Sequence, residues 1–252
     1  MIRHVAPKPC LRARIGDGRG SGGGPRCSRL ALAALDPGSP PRLSSRVTHP
    51  QRVDADQAVR LLLLGAPGSG KGTQGERLAE RYQARHVSTG ALLRHEVASG
   101  TALGAAAAPY MARGDLVPDE LIVSMVLDAV LGSESPASYV LDGFPRTVAQ
   151  ARAAHDRAVQ SDRVLHAVVC LDIDHDTLIG RLGARGRGSG RADDNEAVVA
   201  HRIVEFEEKT LPLLDYYAGR GILHRIDAVG DVDEVSARIF DVLDPVLSSP
   251  GA

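Results

Sequence analysis

The sequence predicts an α/β protein in which helices cover both faces of a five-stranded parallel sheet. From Val59 onward, short apolar runs alternate with longer segments of helical periodicity, which is the pattern of repeated β-α units. The first run, Val59–Leu64, is almost wholly apolar, as a strand buried on both faces should be. Several helical segments begin with Asp, Ser or Thr, the residue types that cap helix N-termini.

Each element is assigned from its own pattern. The predicted strands are Val59–Leu64, His86–Ser88, Ser138–Leu141, Val164–Ile173 and Ile222–Ile226. The predicted helices are Gly72–Tyr82, Thr89–Ser99, Asp119–Leu131, Thr147–Val159, Asp174–Ala184, Asn195–Tyr217 and Asp231–Leu247. The most apolar strand, Val59–Leu64, is expected to be central, and a ligand is expected beyond the carboxyl ends of the strands.

Composition excludes several classes of protein. The 252 residues are 43% hydrophobic and 24% charged, with a formal net charge of -1. No apolar run approaches the roughly 18 residues that a membrane-spanning helix needs, and the near-neutral balance argues against a dedicated nucleic-acid binder. The three cysteines, Cys10, Cys27 and Cys170, form no CxxC pair, which excludes a disulfide framework or a thiolate zinc site and favours a reducing compartment.

The N-terminal region differs in composition from the rest of the chain. Residues 1–50 contain eight arginines and one lysine against two acidic residues, and the stretches Gly20–Pro25 and Pro37–Pro41 disfavour regular structure. We therefore expect residues 1–56 to be a disordered basic extension and residues 57–250 to be the folded domain. Two interpretations stay open, an organelle transit peptide and an unstructured or untranslated extension; the second is favoured because the apolar segment Leu30–Leu35 is short.

A glycine-rich segment, Gly65–Thr73, follows the first strand directly and opens the first helix. Glycines let successive backbone N–H groups converge on phosphate oxygens, the helix N-terminus adds its dipole, and the Lys71 ammonium neutralises the β and γ oxygens. Gly72 stands where a Ser or Thr hydroxyl would contact Mg²⁺, and Thr73 follows one place later. We therefore expect a phosphate-binding loop, or P-loop, whose Mg²⁺ is held mainly by phosphates and water.

Two further segments suggest where a second substrate binds. The segment Ser88–Arg94 begins a helix after the second strand, which places the Thr89 hydroxyl at the helix entrance and the Arg94 guanidinium one turn further on. The segment Asp142–Arg146 follows the third strand, so Arg146 is expected to point into the same crevice as the P-loop. Asp142 is a candidate to orient a hydrated Mg²⁺.

Residues 182–193 predict a short mobile lid, because four glycines and three arginines occur between Gly183 and Arg191. Such a loop can close over two nucleotides and exclude water that would otherwise accept the phosphoryl group. Arginine suits this chemistry, since its guanidinium binds phosphate oxygens in a bidentate manner and stays charged. An acceptor that is already a phosphate needs no general base.

Five segments in this order resemble the adenylate kinases of the nucleoside monophosphate kinase family: GAPGSGKGTQ, STGxLLR, GDLVPDE, DGFPRTVAQ and GRADDNE. The resemblance extends roughly from Val59 to Val246. It implies a three-layer P-loop fold with a helical monophosphate-binding segment, residues 88–117, and a short lid. Many bacterial members have a longer lid, sometimes with zinc bound by cysteines; this chain has neither the length nor the cysteines there, so zinc is not expected.

The resemblance also implies the roles of individual residues. The residues implied to bind ATP are Gly68, Ser69, Gly70, Lys71, Gly72, Thr73, Arg185 and, at the adenine, the backbone of Gly230. Those implied to bind AMP are Thr89, Arg94, the backbone of Asp115, Leu116 and Val117, and Gly143, Phe144, Pro145, Arg146, Gln150, Arg191 and Arg202. The implied catalytic residues are Lys71, Arg146, Arg181, Arg191 and Arg202.

The expected reaction is ATP + AMP ⇌ 2 ADP with Mg²⁺, carried out by a cytoplasmic monomer. Thr89 and Gln150 favour adenine, because a glutamine amide can accept from the 6-amino group and donate to a ring nitrogen, whereas the pyrimidine-specific relatives have Ala and Asn at these positions. A UMP or CMP kinase stays open as an alternative. So does a catalytically impaired paralogue that acts as a sensor or scaffold, because Ala91 replaces the acidic residue that is usual in STG[D/E]LLR.

Overall fold

A parallel β-sheet organises the chain. The computed structural model describes residues 58–132, 135, 137–174, 177, 178, 180–182 and 196–248. In these residues the strands are β1 Arg60–Gly65, β2 Arg85–Ser88, β3 Tyr139–Asp142, β4 Ala167–Asp172 and β5 Leu223–Asp227. Every neighbouring pair is parallel and the order across the sheet is β2-β3-β1-β4-β5, so the predicted α/β fold is confirmed, with β1 at its centre.

Helices connect the strands and supply the outer layers. They are α1 Lys71–Arg81, α2 Thr89–Ala98, α3 Ala102–Arg113, α4 Asp119–Leu131, α5 Val148–Gln160, α6 Glu196–Glu205, α7 Pro212–Ala218 and α8 Val232–Leu247. A π-helical turn, Phe206–Thr210, lies between α6 and α7. No helix of the described residues is both long enough and apolar enough to cross a membrane.

Side chains of β1 alternate between two hydrophobic cores, one on each face of the sheet. Leu62 and Leu64 pack with apolar residues of α4, α5 and α7, whereas Leu61 and Leu63 pack with those of α1 and α8. All four leucines are at most 4% exposed. Because successive side chains of a strand point to opposite faces, the four consecutive leucines of β1 produce a three-layer arrangement.

Helix α3 occupies a segment to which periodicity assigned no helix, although the resemblance implied that residues 88–117 are helical. Half of its residues are alanine, and Gly104 and Pro109 lie inside the helix, so its residues form no clear apolar stripe. The helix begins after Thr101, whose side chain accepts a hydrogen bond from the Gly104 N–H at 3.0 Å. A Cβ at Gly104 would overlap the carbonyl group of Glu96 in α2, so tertiary packing between the two helices stabilises α3.

The predicted helix Asn195–Tyr217 is interrupted in the structure. Pro212 has no N–H with which to continue the helical hydrogen bonds. The chain instead widens into the π-helical turn, in which the Leu211 N–H donates to the Phe206 carbonyl at 2.9 Å. This turn directs the Thr210 hydroxyl to the carbonyl of Arg146, at 3.0 Å.

Several predictions fall partly or wholly outside the described residues. Within the predicted helix Asp174–Ala184, residues 177, 178 and 180–182 are helical, and the Asp174 side chain accepts from the Thr177 N–H at 2.8 Å. The basic extension 1–56 lies outside the description, as does the lid 182–193 apart from Leu182. The other predicted elements are present, and their ends differ by at most three residues.

Helix α2 begins without the acidic residue that the family pattern usually has at the position of Ala91. Its N-cap, Ser88, makes no side-chain capping bond within the described residues, and its first turn contains no acid. The same chain shows the complete arrangement at α8, where Asp231 accepts from the Glu234 N–H and Glu234 accepts from the Asp231 N–H. Ala91 occupies the position in α2 that Glu234 occupies in α8.

We therefore expect Ala91→Glu to raise the free energy of unfolding by about 0.5–1 kcal/mol, because the new carboxylate can accept from the Ser88 N–H and interact with the helix dipole. Urea unfolding followed by circular dichroism measures the change. Ala91→Lys is the matched control, since it has a similar helix propensity and the opposite charge, and it should not stabilise the protein. A variant Ala91→Glu no more stable than the parent would contradict the capping argument.

Candidate active site

The loop between β1 and α1 has the geometry of a phosphate cradle. Gly68 and Gly70 adopt φ angles of 89° and 98°, in the left-handed region that favours glycine. Gly70 is the N-cap of α1, so the helix begins at Lys71 with its first N–H groups facing the loop. Loop and helix thus provide converging N–H donors and the positive end of a helix dipole at the carboxyl end of the central strand.

Lys71 is held inside this loop. Its Nζ donates to the carbonyl oxygens of Gly65 at 2.8 Å and Ala66 at 2.9 Å. Burial lowers the pKa of Lys71 to about 8; Asp142 opposes this shift, and the positive charges of Arg146 and Arg202 add to it. A polyanion at the loop would reverse the effect, because it favours the charged ammonium.

This pKa predicts a pH dependence of ATP binding. In the free protein Lys71 is charged below pH 8 and becomes neutral above it, so binding of the triphosphate above pH 8 must take up a proton. We expect the Kd for ATP, measured by calorimetry without Mg²⁺, to be nearly constant from pH 7 to about 8 and then to rise, approaching about tenfold per pH unit. Lys71→Arg, which stays charged, should give a flat profile. If the Kd for ATP depended on pH in the same way in the parent and in Lys71→Arg, the pH dependence could not be assigned to Lys71.

A cleft of about 740 Å³ opens beside the loop. Basic side chains from several parts of the chain line it: Lys71, Arg94, Arg146, Arg181 and Arg202. Gly72, Thr73 and Asp142 line it as well, and no described atom lies within 4 Å of a Cβ built on Gly72, so there is open space at the mouth of the loop. Cations gathered in one concave surface attract a ligand that carries several negative charges.

Arg146 is held by hydrogen bonds of both its side chain and its backbone. Its Nε donates to the Gly143 carbonyl at 2.9 Å, its N–H donates to Gln150 Oε1 at 2.7 Å, and its carbonyl accepts from Thr210 Oγ1 at 3.0 Å. Burial, together with the charge of Arg202, lowers the pKa of Arg146, while Asp142 and Glu205 raise it. The protein therefore stabilises a poorly solvated guanidinium in one orientation, as catalysis by preorganised charge requires.

A smaller cavity of about 60 Å³ continues from the cleft between α2, α4 and α5. It is lined by most of the residues that the sequence implied for AMP: Thr89, Arg94, Asp115, Leu116, Val117, Gly143, Arg146, Gln150 and Arg202. Thr89 Oγ1 is buried there without a hydrogen-bond partner among the described residues. A buried hydroxyl without a partner is costly, which indicates that a ligand completes the cavity.

Two of the implied AMP residues, Phe144 and Pro145, do not line the smaller cavity, and a third, Asp115, has partners for its carboxylate. The Phe144 side chain is 1% exposed and belongs to the hydrophobic core, whereas Pro145 lines the large cleft. The Asp115 carboxylate pairs with Arg113 at 2.7 Å and His201 at 2.8 Å, and hydrogen bonds from these two residues lower its pKa. The backbone contact expected of Asp115 stays a prediction.

Arg181 contacts the loop implied for the ATP adenine. Its Nη2 donates to the carbonyl oxygens of Ala228 at 2.9 Å and Gly230 at 3.0 Å. Arg238, which the sequence did not single out, holds the same loop through the carbonyls of Asp227 at 2.8 Å and Val229 at 2.6 Å. Arg181 thus links the large cleft to the adenine loop, and its contact with phosphate stays a prediction.

The remaining implied arginines are placed differently. Arg202 lines both cavities. Arg185 and Arg191 lie outside the described residues. The sequence also missed the residues that fix the orientation of Arg146 and Gln150, namely Thr210 and Asp119, because these contacts join parts of the chain that are 64 and 31 residues apart.

The residues near the P-loop fit a hydrated Mg²⁺ bound with nucleotide. Asp142 is 9% exposed, and its Oδ1 has no hydrogen-bond partner among the described residues. A carboxylate oxygen is a ligand or water acceptor that Mg²⁺ prefers. No group of three or more His, Cys, Asp and Glu side chains that could hold a metal ion occurs in the described part of the chain.

Fold and site together define a P-loop nucleotide-binding protein of the phosphotransferase type. The adenylate kinase family model matches residues 63–222. Relatives named adenylate kinase include one from Xanthomonas campestris, 47% identical over 73% of this chain and 99% of its own length, and one from Stenotrophomonas maltophilia, 44% identical over 72% and 97%. One from Thermobifida fusca is 43% identical over 73% of this chain and 98% of its own length. The chain belongs to the adenylate kinase family.

Proposed function

We propose that this chain catalyses reversible phosphoryl transfer from ATP to AMP, giving two ADP, and so serves adenine nucleotide homeostasis. Family membership supports this assignment. The observation that carries it is the continuity of two cavities at one end of the sheet: a cationic cleft at the P-loop and a smaller cavity that contains Thr89 and Gln150. The cleft suits the phosphate groups of the nucleotides, the smaller cavity suits the base of a purine monophosphate, and Arg146 lines both.

The chemistry needs charge and alignment rather than a proton acceptor. The attacking group is the phosphate of AMP, which is already ionised at neutral pH, so no general base is required. Lys71 would neutralise the β and γ oxygens of ATP, and Arg146 would bind the phosphate of the acceptor next to it. Both side chains are fixed by hydrogen bonds to backbone carbonyls, so little reorganisation accompanies transfer.

Mg²⁺ is the proposed cofactor, delivered with ATP. Asp142 would hold the ion through water, and the phosphates would supply its direct ligands. When bound, Mg²⁺ neutralises charge on the phosphate oxygens. Asp142 also interacts with Lys71 and Arg146, so the same carboxylate partly offsets the lowering of their pKa values by burial.

Steady-state phosphoryl transfer from Mg·ATP to AMP, CMP, UMP and GMP, measured in parallel, tests the proposal. We expect AMP to be the preferred acceptor, with ADP the product from both substrates. A preference for CMP or UMP would overturn the role of Thr89 and Gln150 while leaving the kinase assignment in place. Tight ATP binding without transfer to any acceptor would support the sensor or scaffold alternative instead.

We also propose that the protein acts as a cytoplasmic monomer. Cys170 is a buried free thiol, which suits a reducing compartment. Light scattering tests the oligomeric state, and intact-mass analysis of the native protein tests whether the basic extension 1–56 is retained.

A further inference from the structure

Both polar atoms of the Gln150 side-chain amide form hydrogen bonds. Its Oε1 accepts from the backbone N–H of Arg146 at 2.7 Å, and its Nε2 donates to Asp119 Oδ1 at 2.5 Å. Gln150 is 3% exposed and lines the smaller cavity, whereas Asp119 does not line it. Asp119 is the first residue of α4 and reaches the amide from outside the cavity.

These two partners determine where the oxygen and the nitrogen of the amide lie. A backbone N–H can donate but not accept, and an ionised carboxylate can accept but not donate. The oxygen of Gln150 must therefore face Arg146 and the nitrogen must face Asp119. Each atom has capacity left: Oε1 retains one lone pair, and Nε2 retains one hydrogen.

The remaining capacity matches one type of purine. Adenine presents a 6-amino donor beside the N1 acceptor, which complements the free lone pair of Oε1 and the free hydrogen of Nε2. A 6-oxopurine reverses both groups, with an acceptor at position 6 and a donor at N1. To bind it equally well, the amide would have to rotate by about 180°, which would turn Oε1 toward the Asp119 carboxylate and Nε2 toward the Arg146 N–H.

We propose that Asp119 is a specificity-determining positioning residue: it fixes the orientation of the Gln150 amide, so that the cavity selects 6-aminopurine monophosphates against 6-oxopurine monophosphates. The inference rests on the proposed function, because it assumes that the base of the acceptor enters the smaller cavity. It adds to that function a reason for rejecting the second common class of purine. Gln150 forms the hydrogen bonds to the base, and Asp119 determines which arrangement of donor and acceptor on the base Gln150 can recognise.

A purely structural role is the competing explanation, since an acidic residue in the first turn of a helix stabilises it. Glu120 lies in the same turn of α4, is exposed and carries the same charge. Glu120→Gln therefore reproduces the loss of charge at the helix N-terminus without changing the contact to Gln150. Asp119→Asn removes the charge and retains the shape, and its amide can donate to a rotated Gln150.

The experiment compares AMP with inosine monophosphate, which has a 6-oxo group and lacks the 2-amino group of GMP. For the parent and both variants, kcat/KM is measured for each acceptor and Kd is measured for each monophosphate by calorimetry. We expect Asp119→Asn to reduce the preference for AMP by about tenfold, because one of two orienting contacts is lost and the Arg146 N–H remains. Glu120→Gln should change the preference by less than about twofold.

A double-mutant cycle separates orientation from structure. In a Gln150→Leu background no amide remains to be oriented, so Asp119→Asn should have no further effect on the preference. The inference is overturned if Asp119→Asn retains the parental preference, or if its effect persists fully in the Gln150→Leu background. Failure of the proposed function looks different: the parent would transfer no phosphoryl group to AMP, and the calorimetric preference would still report on Asp119.

Discussion

Lys71→Ala is expected to lower kcat for phosphoryl transfer to AMP by about 10²- to 10³-fold, the cost of losing a preorganised positive charge at developing phosphate charge. Lys71 is half-buried in the P-loop, and its Nζ is held by the Gly65 and Ala66 carbonyls, so its charge is fixed where the phosphates of ATP are expected to bind. Steady-state kinetics with Mg·ATP and AMP measures the effect.

The control for this prediction separates chemistry from folding. Burial lowers the pKa of Lys71, so its charge costs folding free energy at neutral pH, and Lys71→Ala should melt no lower than the parent. Arg77→Ala is the surface comparison, because the Arg77 side chain is 45% exposed, pairs with Asp233 at 2.8 Å and does not line the cleft. A well-folded Lys71→Ala variant with more than about a tenth of parental kcat would remove Lys71 from the catalytic account.

Substitution of Arg146 should lower activity nearly as much as substitution of Lys71, and lysine should not be able to replace this arginine. We expect both Arg146→Ala and Arg146→Lys to lower kcat/KM for AMP by about 10²-fold or more, since a lysine keeps the charge but loses the planar fork that binds two phosphate oxygens. Lysine also cannot donate from an Nε to the Gly143 carbonyl, so its ammonium would lack the present orientation.

Arg152→Ala supplies the matched comparison, because Arg152 lies on α5, close to Arg146 in the chain, and is exposed. Its kinetics should equal those of the parent within about twofold. If Arg146→Lys were as active as the parent, charge alone would explain the role of this position. The bidentate contact would then have to be abandoned.

Periodicity and local motifs predicted the parts of the molecule that depend on neighbours in sequence. The apolar run of β1, the glycines that follow it and the start of α1 are contiguous, so the sequence was enough to predict the P-loop and the central strand. The capping residues Thr147 and Asp231 likewise act within three residues of themselves, and both caps are present. Such features are local, and tertiary packing does not override them.

Contacts between distant segments could not be predicted in the same way. The hydrogen bond from Gln150 to Asp119 spans 31 residues and that from Thr210 to Arg146 spans 64, and neither side chain shows in its own segment that it has this partner. The π-helical turn could not be predicted either. Pro212 indicates a break in the helix, but it does not indicate the register that brings Thr210 to the site. Periodicity did not indicate helix α3, because the stability of this helix comes from packing on α2.

The most direct test of the kinase assignment starts from Mg·ADP alone. Phosphorus NMR of the purified protein with Mg·ADP should show ATP and AMP appearing in equal amounts until the reaction reaches equilibrium, with no inorganic phosphate released. The Lys71→Ala variant serves as the blank. Unchanged ADP, or conversion of ADP to AMP and inorganic phosphate, would contradict phosphoryl transfer between two nucleotides as the function of this site.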